Sequence, residues 1–240
     1  PRAVSNEYPQ TDPWDLRETC VREKQSLGFY VSGHPLDRYG KELRLFDLAP
    51  ISSLADKPAW EKVRSAGMVE GYREKIFKGS SNKTAFFDLE DKTGRITVRV
   101  KEQLIDTFSP VLTSGEAVVV SGALRFPEKS EDGEDLDAGP GDPTLLLDKA
   151  ELLSTMVQSE TKGVILRIRS EDTTPDQITA LAPLFKSHPG ACSVAIIFEM
   201  PTGEVSLSLP AEFRVEASDS LLTRLERHFG RQVAELTRNR

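Results

Sequence analysis

The sequence predicts an α+β, multidomain chain: a five-stranded β-barrel with a helix between strands 3 and 4, preceded by short helices and followed by a small α/β domain. Three observations carry that prediction. From 95 to 101 apolar and polar residues alternate, with Ile96, Val98 and Val100 on one face and Thr97, Arg99 and Lys101 on the other; this is the period of a half-buried strand. From 102 to 112 the spacing turns helical, through Leu104, Ile105, Phe108 and Leu112. Strand-like segments then return at 116–126 and 144–153.

The elements follow in order. Residues 1–13 are polar and proline-rich, as in a linker, and 14–29 is a helix with Leu16, Cys20 and Leu27 near one stripe and Gly28 as its stop signal. A turn-rich step follows at 30–36, and Asp37 can cap a second short helix running to about Phe46. Residues 63–77 form the first barrel strand, interrupted by Gly67 and Gly71 where a strand bends around a corner. After a loop at 78–83 comes a strand at 84–90, then an Asp91-Lys92-Thr93-Gly94 hairpin turn with Gly94 placed for a positive φ. Three strands, a helix and two strands is the order of the OB-type barrel. Between its last two strands lies an acidic, glycine-rich loop, 127–143, whose composition is that of disorder.

A separate pattern starts at 161. It reads as a strand at 163–168 and a helix at 175–186, capped by Thr173 or Thr174 and packed through Ile178, Leu181, Leu184 and Phe185. A hairpin of 193–199 and 205–209 and a closing helix at 218–229 complete it, with Ser218 as cap and Leu221, Leu222, Leu225 and Phe229 inward. The predicted division is a helical lead-in at 1–61, an OB-fold domain at 62–155 and a C-terminal α/β, partner-docking domain at 161–236.

Composition excludes several function classes. No apolar run reaches the ~18 residues of a membrane span. The chain opens on Pro1 without a basic-then-apolar leader, and reads as a portion of a longer cytoplasmic protein. Cys20 and Cys192 belong to no C-x-x-C pair, and His34, His188 and His228 are scattered, so neither a zinc site nor another cofactor is expected. The His-Pro pairs at 34–35 and 188–189 read as turns. A net charge of −7 argues against a bulk polyelectrolyte binder but leaves local patches open.

The strongest local signal is the second barrel strand. Phe87 and Leu89 share one face; Phe86, Asp88 and Glu90 share the other. An outward aromatic there is placed to stack on an unpaired base, worth roughly 1–3 kcal/mol, although it can equally pack under a loop. Arg73, Lys75, Lys78, Lys83, Arg99 and Lys101 surround it and can bind phosphates by charge. Asp88, Glu90 and Asp91 resemble a metal-binding cluster, but Asp91 is needed by the turn and no third carboxylate is held nearby. No phosphate loop, nucleophile elbow or H-E-x-x-H motif is present, so no catalytic residue is assigned. Residues 42–46 and 232–236 are similar to sliding-clamp peptides, though each lacks part of the motif.

These residues resemble a known assembly. Residues 23–36, Glu-Lys-Gln-Ser-Leu-Gly-Phe-Tyr-Val-Ser-Gly-His-Pro-Leu, are similar to the segment leading into the OB domain of the bacterial DNA polymerase III alpha subunit. Residues 66–69, the stretch through Phe86 to Gly94, and Val120-Ser121-Gly122 resemble that OB domain; Phe213-Arg214-Val215 and 218–222 resemble its C-terminal domain. The resemblance implies a non-catalytic part of a DNA-directed DNA polymerase, with the barrel near single-stranded template DNA and the last domain docking the clamp-loader tau subunit. Partner-binding candidates are Phe213, Arg214, Val215, Leu221 and Leu222. The sliding clamp would be reached through the rest of the parent protein. The long acidic loop departs from the family pattern. Two other readings stay open: a protein-interaction tail whose barrel is a spacer, and an RNA-binding appendage of a tRNA synthetase.

Overall fold

The computed structural model describes residues 16–76, 83–126 and 142–238, and the chain divides into two compact units, Pro1–Arg38 and Tyr39–Arg240. The first unit holds helix α1, Leu16–Leu27, which ends at Gly28. The Glu23 carboxylate then folds the chain back, accepting hydrogen bonds from Val31 N (2.8 Å), Ser32 N (3.0 Å) and Ser32 Oγ (2.5 Å). Those bonds hold its pKa below the usual carboxylate range. His34-Pro35 is a turn: His34 Nδ1 accepts from Leu36 N, and Asp37 accepts from His34 N.

In the second unit, the short helix α2, Gly40–Leu45, leads to a 3-10 segment, Ile51–Asp56. Five strands then close a barrel: β1 Lys62–Ile76, β2 Lys83–Glu90, β3 Arg95–Lys101, β4 Val118–Arg125 and β5 Thr144–Leu152, in the order β1-β2-β3-β5-β4. All contacts are antiparallel except β3 with β5. Helix α3, Glu102–Leu112, lies between β3 and β4 as predicted. Phe87, Leu89, Val98, Val100, Val120 and Leu145 fill the interior, joined by Ile105 and Leu112 of α3 and by Ile51 and Leu54. The 3-10 segment is pinned to the β2–β3 turn, where Ile51 N donates to Asp91 Oδ2 (2.9 Å) and Ser52 N to Thr93 Oγ1 (3.0 Å).

Two turns show different chemistry. At the predicted bend, Gly71 has φ +62° and β1 carries one extra residue between Glu70 and Arg73 relative to β2; this is a bulge, which a glycine in the left-handed region permits. Gly94 was expected to need a positive φ and does not have one. Asp91 makes that turn instead, accepting from Thr93 N (2.6 Å) and Gly94 N (2.9 Å) through Oδ1.

Helix α4, Leu153–Glu160, buries Leu153, Met156 and Val157 and leads to the second sheet. Its strands are β6 Gly163–Arg169, β7 Pro189–Met200, β8 Gly203–Ser208 and β9 Ala234–Thr237, in the order β8-β7-β6-β9. Strands β6 and β7 are parallel. The predicted helix at 175–186 is two, α5 Pro175–Thr179 and α6 Leu181–Lys186, meeting at Ala180. Thr174 and Gln177 form a capping box on α5. Helix α7, Asp219–Phe229, starts from Ser218 as predicted. Glu160 ties barrel to sheet, accepting from Arg64 of β1 (2.6 Å) with Arg238 at 3.7 Å. Neither α4 nor β9 was anticipated. Among the described residues, no helix is long and apolar enough to cross a membrane.

Candidate nucleic-acid interface

Alternation and register assemble the barrel's outer face. Phe87 and Leu89 point inward and are fully buried, so Phe86 and Asp88 face out, half-buried. Phe86 stands opposite Arg73 of β1 and Arg99 of β3. Directly paired residues of antiparallel strands project to the same side. One row therefore reads Arg73-Phe86-Arg99, and the next, toward the 77–82 connection, Lys75-Thr84-Lys101. The bulge at Gly71 sets this register: without the extra residue, Tyr72 rather than Arg73 would stand beside Phe86. Lys75 Nζ lies 5.9 Å from the Phe86 ring centroid, within cation–π range.

Toward the β2–β3 turn the same face is balanced rather than basic. Asp88 accepts from Thr97 Oγ1 (3.0 Å) with Arg95 at 3.8 Å, and Glu90 pairs with Arg95 at 3.0 Å. With Asp91 committed to the turn, these carboxylates do not converge, and no group of three potential metal ligands occurs among the described residues.

Lys83 was expected beside Phe86, and this expectation is corrected. It pairs with Ile76, so it has the opposite parity to Phe86, and its ammonium bonds to Glu74 on the other side of the hairpin. The Glu74 bond raises the Lys83 pKa, while Lys83 and then Tyr72 lower that of Glu74. Burial, reinforced by the bond to Glu74 (3.0 Å), pushes Tyr72 up to about 12. Lys78 and most of the acidic loop, 127–141, lie outside the described residues, as do residues 1–15.

The predicted docking residues separate as well. Val215 and Leu221 are fully buried, Val215 bridging to Pro189 and Cys192 and Leu221 packing from α7, so neither offers a surface. Leu222 and Phe213 are half-buried, with Lys186 Nζ 5.7 Å from the Phe213 ring, and Arg214 is exposed. The clamp-like stretches are also engaged: Phe46 is fully buried, and Leu236 sits in β9.

Comparison with known proteins agrees with this architecture. Residues 63–153 match the tRNA_anti-codon family, described as an OB-fold nucleic acid binding domain. The chain is 30% identical over 220 residues to a protein from Pseudomonas fluorescens, covering 90% of this chain and 17% of that one. Its curated relatives are DNA polymerase III alpha subunits. The alpha subunit of Vibrio cholerae is 25% identical over 242 residues, covering 100% of this chain and 20% of its own length; that of Bacillus subtilis is 24% identical over 230 residues, covering 96% and 19%. The chain thus spans 17–20% of the length of these relatives and resembles a C-terminal region of the alpha subunit. Among solved structures, a small single-stranded DNA-binding protein from Streptomyces coelicolor matches 40% of this chain and 95% of its own, at 15% identity and a TM-score of 0.31.

Proposed function

We propose that this chain is a non-catalytic part of a cytoplasmic DNA polymerase III alpha subunit, whose barrel holds single-stranded template DNA and whose last domain docks a clamp-loader tau subunit. The row Arg73-Phe86-Arg99, with Lys75 and Lys101 beside it, carries the DNA reading. An aromatic face between two cations can stack a base while each guanidinium meets a phosphate, without reading sequence. The parent would be the nucleotidyltransferase; this portion contributes grip and orientation. The tau reading rests on the likeness to alpha subunits and uses the docking candidates that remain accessible, Phe213, Arg214 and Leu222. The division into a barrel domain at 62–155 and a docking module at 161–236 is part of the same proposal.

Anisotropy of labelled oligo-dT at low salt tests the barrel. Binding should weaken steeply with salt, and Phe86→Ala should cost roughly 1–3 kcal/mol. Absence of binding by the unmodified chain at low salt would leave the protein-interaction tail as the better reading. A preference for a tRNA anticodon loop would revive the RNA alternative.

A further inference from the structure

We infer that Trp60 is a second base-stacking platform for single-stranded nucleic acid, at the far end of a path over the barrel that begins at Phe86; this rests on the DNA reading above. Trp60 is 64% exposed and has φ 67°. A bulky residue in the left-handed region is an outlier that persists where its surroundings hold it. Here the holding is explicit. Trp60 N donates to Leu124 O (2.6 Å), Leu124 N to Glu61 O (3.1 Å), and Glu61 N to Pro58 O (3.2 Å). Lys57 pairs with Glu61 at 2.5 Å. The backbone is clamped to β4 while the ring stays in solvent.

Folding does not require tryptophan there. A ring this exposed gains little from burial, and glycine would adopt the same backbone without strain. What the ring supplies is a free π-face beside the route the barrel offers. Its partner Leu124 adjoins Ala123 and Arg125. Ala123 pairs with Leu146 of β5, Leu146 with Arg99 of β3, and Arg99 with Phe86. Along this row the path steps from β2 to β3, β5 and β4. Trp60, in the segment before β1 that pairs with the other edge of β4, stands one step further, four steps of about 4.8 Å or about 19 Å in all. An OB site of about 4–16 nucleotides is long enough to cover that distance. Arg99 lies along the way, and Arg125 stands on the same outer side next to Leu124.

The chain has two tryptophans, Trp14 and Trp60, so in a Trp14→Phe chain the emission reports Trp60 alone. Titration with a dye-labelled oligo-dT of about twelve nucleotides at low salt should quench that emission, half-saturating where the anisotropy does. Trp60→Ala should weaken affinity about 5- to 150-fold, as for the loss of one stacked base, and Trp60→Phe should recover most of it. Trp60→Gly should bind as weakly as Trp60→Ala yet melt at a higher temperature, which separates stacking from backbone strain. Anisotropy that rises while Trp60 emission stays constant, or wild-type affinity in Trp60→Ala, overturns the inference and leaves the Phe86 face standing. A chain that shows no anisotropy change at all removes both.

Discussion

The barrel and the second sheet handle their outward residues differently. On the barrel, register collects Arg73, Phe86 and Arg99 into one row and Lys75 and Lys101 into the next. In the C-terminal module, the residues that looked like a docking patch divide between core and surface: Val215 and Leu221 are buried, while Arg214 is exposed. Antiparallel neighbours share a face by construction, so alternation along one strand extends to the next. A helix and an irregular segment have no common register, and their inward residues are spent on the core.

The largest expected effects separate core from surface. Phe87→Ala should destabilise the barrel by about 3–5 kcal/mol in denaturant unfolding, whereas its neighbour Phe86→Ala should change stability far less and lose DNA affinity. Comparable destabilisation by both would mean that Phe86 is part of the core, and the contrast between the regions would fail. In the second sheet, Leu221→Ala should cost about 2–5 kcal/mol, so that any loss of partner binding follows from unfolding. Arg214→Glu should leave unfolding unchanged and weaken capture of a tau subunit; unchanged capture would remove Arg214 from the docking surface.

A smaller effect sharpens the barrel side. Arg99→Ala and Lys101→Ala should each flatten the dependence of log affinity on log salt by about 0.7, the release of one counterion from a single strand. Equal slopes before and after substitution would place the phosphates elsewhere.

Much of this was legible from the order of residues, and the exceptions share a cause. Alternation at 95–101 and the helical spacing at 102–112 reproduce β3 and α3 to the residue. These are local signals reinforced by the core. Strand β9 is four residues long and exists because it pairs with β6, a non-local condition that no short pattern encodes. Helix α4 had a readable stripe in Leu153, Met156 and Val157, merged with the end of the preceding strand. At the site, the glycine at 71 signalled a bend, but one extra residue decided which side chain stands beside Phe86. Lys83 looked equivalent to Lys75 in the sequence; parity and the Glu74 carboxylate set it apart. Trp60 gave no motif at all, because its backbone strain is visible only in three dimensions.

The smallest expected effect tests where the outer face ends. The Glu74–Lys83 pair is on the surface, so Glu74→Gln should barely alter stability. Glu74's lowered pKa means its contribution is present above the ordinary carboxylate range, about 4.3, and is lost as pH falls through the lowered value. Lys83's raised pKa means its contribution is complete below about 10.4 and is lost as pH rises through the raised value. Between those limits the pair is constant, and DNA affinity should not vary with its titration across neutral pH. If nucleic acid follows the Phe86 face, releasing Lys83 by Glu74→Gln should leave the salt slope unchanged, because the freed ammonium sits on the other side of the hairpin. A slope steeper by about 0.7 would instead mean that the strand wraps over the β1–β2 hairpin and recruits Lys83 as a phosphate contact.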